Sequence, residues 1–480
     1  MKNLEEIFAP DRPIEDIILD LKYKTLVIPS WSELEKSYEP SLHQIITDTI
    51  HFPDKPIYND DDPPSLIRME PRTRIALSLQ KLAAARMAQF MFAIPVNNVL
   101  EVEDTLSITQ FTAVQKVLKF NHWDSLNKER CKFVESQCEI ATYWYTYESQ
   151  NQKYGFKSKF KLGCNVFSPA YGDDLYPLFN NTRDLIAFSR QYYIYFGGNL
   201  IETRFDCWTA DKTRMYVLKQ SSGEWELESE TINVIGKIPI VYQYRLKPIW
   251  EDADNKGERV SGNVHEMEKI LSANGDIIAY HAAPILFMHG NIDGAPTKGE
   301  SNKVWTSDSP QAGAEYVTWN QSVDAVKFQI DTLAKAYWAG LQLPDLSFEN
   351  IKGMGQVSGE ARKWMLIDPH LKVGDESSEF IKAIQREISV ICAYLGTMNT
   401  LWKDTINDLE IDSEITPFII NDELTNVQML IAANGNMPIV SQLQAVKLAG
   451  LATDPVADFA QIQTETQVAA AVNAFNPTLP

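Results

Sequence analysis

The hydrophobic period of the chain changes twice, and any fold must accommodate both changes. Up to about residue 140 apolar residues recur at helical spacing, from about 140 to 245 they alternate, and beyond 260 the helical spacing returns. In the middle stretch TYWYTYES, FKSKFKLGCNVF, RQYYIYF, LIETRFDCW, TRMYVLK and EWELES read as strands. Turn signals at Gly197-Gly198, Asp211-Lys212 and Ser222-Gly223 separate them, and GKIPIVYQYRLKP closes the run. Strands joined by such short turns form an antiparallel meander. A strand block set between helical blocks predicts an α+β fold.

The flanking segments carry their own start and stop signals. Pro13 stands ahead of IEDIILDLKYK, where a first helical turn tolerates it. Ser32 and Glu35 have the spacing of a capping box. Asn59-Asp60-Asp61-Asp62-Pro63-Pro64 reads as a solvated loop. Arg72 to Phe92 predicts one long helix, stopped before Pro95, with Ile75, Leu79, Leu82, Arg86 and Phe90 on one face. Residues 105–140 are again helical in pattern. After the meander, Asn263 to Pro284 predicts a helix with Met267, Ile270, Leu271 and Ile278 on an apolar side and acidic and polar residues opposite. A loop-rich, glycine-punctuated stretch follows over 286–321, then a second helix that stops before Pro344. The segment SFENIKGMGQVSGE reads as flexible, and helices resume to about 404. Past Lys403 the tail holds ten acids and one base, Lys447.

Composition excludes several classes. Of 480 residues 44% are hydrophobic and 11% aromatic, too many for a disordered chain. Lys and Arg number 44 against 64 Asp and Glu, a formal charge of −20 that repels phosphate. A nonspecific nucleic-acid binder held by counterion release is disfavoured, whereas a duplex that passes without sticking is compatible. No apolar run reaches the roughly 18 residues of a membrane span. The acidic opening MKNLEEIFAPDRPIED has no apolar signal core. Five scattered cysteines (Cys131, Cys138, Cys164, Cys207 and Cys392) predict free, mostly buried thiols and a reducing compartment. The expectation is a soluble, cytosol-made protein.

The local motifs argue against an enzyme. Gly353-Met354-Gly355-Gln356-Val357-Ser358-Gly359 places its third glycine one residue late for a dinucleotide loop and follows a helix instead of a strand. Gly294 to Gly299 has phosphate-loop spacing, but Glu300 reverses the charge where the lysine belongs. His265-Glu266 begins like a zinc-protease helix but lacks the histidine at i+4, which predicts an exposed helical histidine and no metal site. No nucleophile elbow occurs, so no catalytic residue and no cofactor is expected. Lys157, Lys159 and Lys161 alternate on one strand and read as a solvated face. Lys352 and Arg362-Lys363 flank the glycine-punctuated segment, where a loop presents charge to a passing polyanion.

The order of helix, loop-rich insert, helix, glycine loop and long helix resembles the phage portal protein family of tailed double-stranded DNA viruses. Phe90-Met91-Phe92-Ala93-Ile94-Pro95 is similar to the family's early helix running into a proline stop. Gly236-Lys237-Ile238-Pro239-Ile240-Val241 is similar to its strand before the first stem helix, and Ser358-Gly359-Glu360-Ala361 to the opening of its following long helix. VKLAGLATDPVADFAQIQTE resembles its closing helix-turn-helix, with Asp454-Pro455 at the turn. The resemblance covers about 70–470, and the clip segment matches in place but not residue by residue.

The resemblance implies an α+β, portal-type ring subunit, in the family usually twelve-fold. Its parts would be a wing over 1–262 including the meander, a first stem helix over 263–285, a clip over 286–321 and a second stem helix over 322–343. A tunnel loop over 344–359, connecting helices over 360–403 and an acidic helical crown and tail over 404–480 would follow. It implies a channel at one capsid vertex for packaging and ejection of double-stranded DNA. Implied partners are terminase, the major capsid and scaffold proteins and head-completion or adaptor proteins, with no membrane; the location is the virion, after assembly in the host cytoplasm. Lys352, with Gln356 and Ser358, is expected to border the DNA, and Lys327 on the second stem helix is a further channel candidate. The alternatives are another ring-forming head–tail connector or minor capsid protein, or an acidic cytosolic hydrolase.

Overall fold

The computed structural model describes residues 3–24, 26–59, 63–101, 104–219, 223–252, 262–281, 285–289, 313–317, 323–345, 364, 366–418, 423–434, 439–450 and 455–475. Residues 1–345 with 369–418 form one compact unit, and 346–368 with 419–480 a second. Helix and sheet are mixed, as the α+β expectation required.

Fourteen strands occur among the described residues of the larger unit. They are β1 (Lys55–Tyr58), β2 (Leu66–Glu70), β3 (Asn97–Leu100), β4 (Glu139–Asn151), β5 (Ser158–Phe167), β6 (Asp174–Phe179) and β7 (Leu185–Phe196). Then come β8 (Asn199–Thr209), β9 (Lys212–Lys219), β10 (Trp225–Ile232), β11 (Ile240–Tyr244), β12 (Ile285–His289), β13 (Gly313–Val317) and β14 (Ile411–Glu414). The alternating stretch makes two antiparallel sheets where the sequence suggested one meander: five strands in the order β10-β9-β8-β7-β6, and three in the order β11-β4-β5. β6 escaped the sequence reading because Pro177 interrupts it. As an edge strand it tolerates the missing N–H. Gly197 and Gly198 both have positive φ, +58° and +84°, which the two-residue turn between β7 and β8 requires.

Alternation explains why the five-stranded sheet is covered on both faces. Ala187, Phe205, Cys207 and Tyr216 turn to one side and pack on Ile7, Ile17, Ile18 and Leu21 of the N-terminal helices. Phe188 and Trp208, directly opposite one another on β7 and β8, turn to the other side. There they meet Ala141, Phe167, Ile238 and Ile240 around the three-stranded sheet. The lysines of β5 stand outward as read: Lys159 is exposed and Lys161 half-exposed, beside exposed Lys157.

Helix boundaries depart from the sequence reading at two places. The first capping box uses Ser30 and Glu33 instead of Ser32 and Glu35, and the helix runs Trp31–Tyr38. The helix assigned to Arg72–Phe92 begins only at Leu79. Residues 71–78 stay out of the helix, because the N–H groups of Thr73, Ile75 and Leu77 find side-chain acceptors elsewhere, described below. Within Leu79–Phe92 burial runs round most of the circumference, including Ala83, Ala84, Met87, Phe90 and Phe92, so no single apolar face exists. Helices Thr105–Phe120 and Trp123–Gln137 follow, the first capped by Asp104 Oδ1, which accepts from the N–H of Leu106 and Ser107 at 2.9 and 3.0 Å. All five cysteines are free, and all but Cys164 are fully buried.

The long helix Ile367–Met398 carries the larger unit's central polar contact. Glu387 is completely buried. It accepts from Trp123 Nε1 at 2.8 Å, Trp144 Nε1 at 2.9 Å and Arg130 Nη1 and Nη2 at 2.7 and 3.1 Å. Arg130 also donates to Thr142 Oγ1 at 3.2 Å and to Asn127 Oδ1. Tyr394, two turns on, donates to the carbonyl of Trp144 at 3.0 Å. Far from this point, β3 pairs with β14, tying residues 97–100 to 411–414.

In the smaller unit Glu423–Ala433, Gln442–Ala449 and Pro455–Phe475 are helices packed in sequence order. Ser441 caps the second through Gln444 N–H at 3.2 Å, and Gly450 ends it in the left-handed conformation. Met429, Ile431, Leu448 and Val456 are exposed, an apolar surface that three short helices cannot bury among themselves.

Removing one member of a buried ion pair strands the other charge, at a cost of about 3–5 kcal/mol. Glu387→Ala is expected to cost that much, read as a lower urea midpoint. Arg130→Ala costs a similar amount, and the double variant much less than the sum, since the two act as one network.

Candidate functional site

Two helices, Asn263–His281 and Val323–Leu341, lie side by side, and the antiparallel pair β12–β13 falls between them in the chain. The first is held by its polar side. Thr73 N–H donates to Asp276 Oδ1 at 2.8 Å, Ile75 N–H to Ser272 Oγ at 3.0 Å and Leu77 N–H to Glu268 Oε1 at 2.8 Å. Alternate residues of an extended chain are therefore paired with every fourth residue of a helix running the opposite way. The lengths fit: two extended residues advance about 6.6 Å and four helical residues about 6.0 Å. Three acceptors thus satisfy a strand edge that has no strand beside it.

Burial follows from this pairing. Glu268 is 1% exposed and Ser272 fully buried, so part of the polar side is turned inward, next to Met267, which is buried as the sequence suggested. Ile278, assigned to the apolar side, is 53% exposed. Glu268 also lies 2.6 Å from His43 Nδ1, whose Nε2 is 3.0 Å from the carbonyl of Ser37. Asp276 faces Lys55 Nζ at 3.3 Å and Arg72 Nε at 3.4 Å. Burial pushes the Asp276 carboxyl up, but hydrogen bonds from Thr73 and Lys55 outweigh it and hold the carboxyl below the ordinary range. His265, expected exposed, is half-buried edge-on against Phe52, with ring centroids 6.0 Å apart, and burial lowers its pKa.

Gly275 permits the close approach. A Cβ there would stand 2.8 Å from Thr73 Cγ2, well inside contact distance.

The second helix is anchored at its C-terminal end. Tyr337, Trp338, Leu341 and Leu343 are buried. Arg86 stacks its guanidinium 4.1 Å from the Trp338 ring centroid and donates to the Pro344 carbonyl at 2.7 Å. The other end of this helix is open: Asp324, Lys327, Gln329 and Asp331 are exposed, and Phe328 is 73% exposed. The first helix is therefore held along most of its length and the second at its C-terminal end, with Ile278 and Phe328 exposed away from those contacts.

Of the sequence-derived site residues, Lys327 lies on the exposed part of the second helix, with no ion pair to a described residue. Lys352, Gln356 and Ser358 lie outside the described residues, as does almost all of 344–359 and most of 286–321. Among the described residues no group of three His, Cys, Asp or Glu is placed to hold a metal ion, and no helix is long and apolar enough to cross a membrane.

A family model described as phage portal protein, SPP1 Gp6-like, matches residues 28–471. The chain belongs to that family. It is a portal vertex protein of a bacteriophage capsid and serves DNA packaging. Portal proteins are structural, not catalytic, and the family implies ring assembly at the capsid and passage of DNA. No curated protein matches the chain.

The portal chain's sequence did contain a signal for the Glu268–Ser272–Asp276 latch. Polar residues at i, i+4 and i+8 form a straight stripe on a helix, and a small residue beside it, Gly275, marks close approach of another backbone. What it did not contain was the identity of the paired segment, about 200 residues earlier.

Ala is favoured over Gly inside a helix by about 1 kcal/mol, whereas forcing a methyl into a filled contact costs about 1–3 kcal/mol. Gly275→Ala is therefore expected to lower the thermal midpoint. Adding Thr73→Ser removes the opposing methyl, so the double variant should recover and exceed the parent's midpoint. A midpoint that fails to recover would show the contact is not what excludes the side chain.

Proposed function

We propose that the chain is one subunit of a homo-oligomeric ring of the portal type, with wing, stem, clip, tunnel loop and crown at the boundaries given by the resemblance. The observation that supports this most is the side-by-side pair Asn263–His281 and Val323–Leu341, with the antiparallel pair β12–β13 between them in the chain. In this reading the two helices are the stem, 286–321 is the clip and 344–359 the tunnel loop. Exposed Phe328 and Ile278 are apolar surface that neighbouring subunits would cover.

The charge suits the role. A channel with acidic walls repels phosphate from every side and lowers the friction on a sliding duplex. A few cations near the narrowest point supply brief, salt-sensitive contacts without trapping it. Lys352, with Gln356 and Ser358, fills that role on the tunnel loop, and Lys327 on the second stem helix is the weaker channel candidate. Terminase, scaffold and major capsid proteins and head-completion or adaptor proteins are the proposed partners, and assembly takes place in the host cytoplasm.

Lys352→Glu is expected to disturb packaging or DNA retention while leaving ring assembly intact, measured as packaged DNA per particle. Unchanged packaging would remove Lys352 from the channel.

Subunits carrying −20 each repel one another, and salt screens that repulsion. The monomer–ring ratio, followed by light scattering with negative-stain microscopy, is expected to shift toward rings with a central hole as salt rises. A small closed dimer at every salt concentration would overturn the ring reading.

A further inference from the structure

The free edge of β11 is chemically specified. Trp144 N–H donates to the Pro239 carbonyl at 3.0 Å and Arg245 N–H to the Cys138 carbonyl at 2.7 Å. Between these two points the register pairs Ile240 with Tyr143 and so on to Tyr244 with Glu139. Hydrogen-bonded and non-bonded pairs alternate in an antiparallel ladder. Val241 and Gln243 therefore spend their backbone groups on β4, while Ile240, Tyr242 and Tyr244 direct N–H and C=O to the opposite side. Among the described residues no strand lies there, since β11 is the edge of its sheet. Ile240 is fully buried, yet no described residue takes its outward groups.

That edge opens on a cavity of about 860 Å³. Its walls are Phe179 and Leu185 on one side and Phe380 of the long helix on the other. Arg386 of the same helix donates to the Ile238 carbonyl at 3.3 Å, the next outward-facing carbonyl along the edge. No described carboxylate pairs with Arg386, nor with Arg183 at the facing turn. Most of the acids around the cavity are already engaged. Glu135 and Glu376 are held by Arg245, Glu379 by Lys382 and Asp184 by Asn180 and Thr182, which leaves Asp375 unpaired. Two guanidinium groups without a carboxylate thus face one free acid.

We propose that β11 is a strand-addition site for an extended, carboxylate-bearing segment of a separate protein. The segment's main chain pairs with Tyr242 and Tyr244, the accessible outward-facing positions of the edge, and its carboxylate reaches Arg386 or Arg183. Donors and acceptors recurring at every second residue match only an extended polypeptide. A second copy's β11 is a poor occupant on charge, because it would bring the same two guanidinium groups, Arg183 and Arg386, to the site and no carboxylate to meet them. The site does not depend on the ring reading above.

The test uses the full-length chain and a fluorescein-labelled peptide, acetyl-Thr-Val-Glu-Val-Thr-Val, read by fluorescence anisotropy. Two further peptides carry backbone N-methyl groups at alternate residues, one in each phase. Saturable binding is expected, with one methylation phase weakening it at least tenfold and the other leaving it nearly unchanged, because only one edge of a strand meets β11. Arg183→Glu with Arg386→Glu should weaken the Glu peptide at least tenfold and favour its Lys counterpart. Tyr244→Pro removes an outward N–H and leaves the β4 ladder whole, so it should weaken binding without moving the thermal midpoint. Absence of saturable binding, or equal effects of the two methylation phases, would overturn the proposal. The methylation comparison uses unaltered protein, so a variant that fails to fold does not blunt it.

Discussion

A single buried carboxylate organises the larger unit. Glu387 gathers two indole N–H groups and both ends of a guanidinium from a helix and a strand that adjoin in sequence but lie some 250 residues earlier than itself. A charge in that place is tolerated because four donors surround it, and the two indole N–H groups in turn find their acceptor in it. The long helix can therefore dock in one rotation and at one height, since a shift of one residue would turn Glu387 away by about 100°. Hydrophobic packing alone would accept several such positions. The network selects one, and everything hung on the long helix inherits that choice, including the placement of Phe380 and Arg386 against the edge of β11.

The same logic, with neutral and charged acceptors facing backbone donors, fixes the first of the paired helices. Its latch to residues 73–77 satisfies an extended segment that would otherwise have its N–H groups buried unpaired. The second helix is fixed by aromatic contact, with Arg86 stacked on Trp338. Neither helix depends on an apolar stripe turned inward along its whole length. That frees the apolar residues toward the open end, Ile278 and Phe328, for contact outside the chain, as a ring-forming portal family requires.

Much of the architecture was legible in the order of residues, for physical reasons that can be named. Alternation over 140–245 survives into the structure because successive residues of the central strands face different layers, with Phe188 and Trp208 on one side and Phe205 and Cys207 on the other. Turn chemistry located the hairpins, since Gly197 and Gly198 accept a conformation that other residues resist. The helix at Arg72–Phe92 was misread where it mattered most. Ile75 fits a helical pattern with Leu79 and Leu82, and only the distant acceptors of the Thr73, Ile75 and Leu77 N–H groups keep this stretch out of the helix. On the latch helix Met267 is buried as read, but the polar residues Glu268 and Ser272 are buried too, because a periodicity argument assigns polar residues to water unless a partner is known.

The sequence by itself determined the class of fold, the antiparallel strands, the net charge of −20 and a likeness of order and spacing to portal proteins. These are local or summed properties, carried by neighbours a few residues apart or by composition. Tertiary structure alone decided that the strands split into two sheets, that Glu387 sits at the centre of four donors, that Glu268, Ser272 and Asp276 face inward, and that β11 is left with an open edge. Each of these depends on which groups, hundreds of residues apart, come within hydrogen-bonding distance. A buried polar group is costly alone and stable when paired, so its role is set by the partner and not by the residue itself.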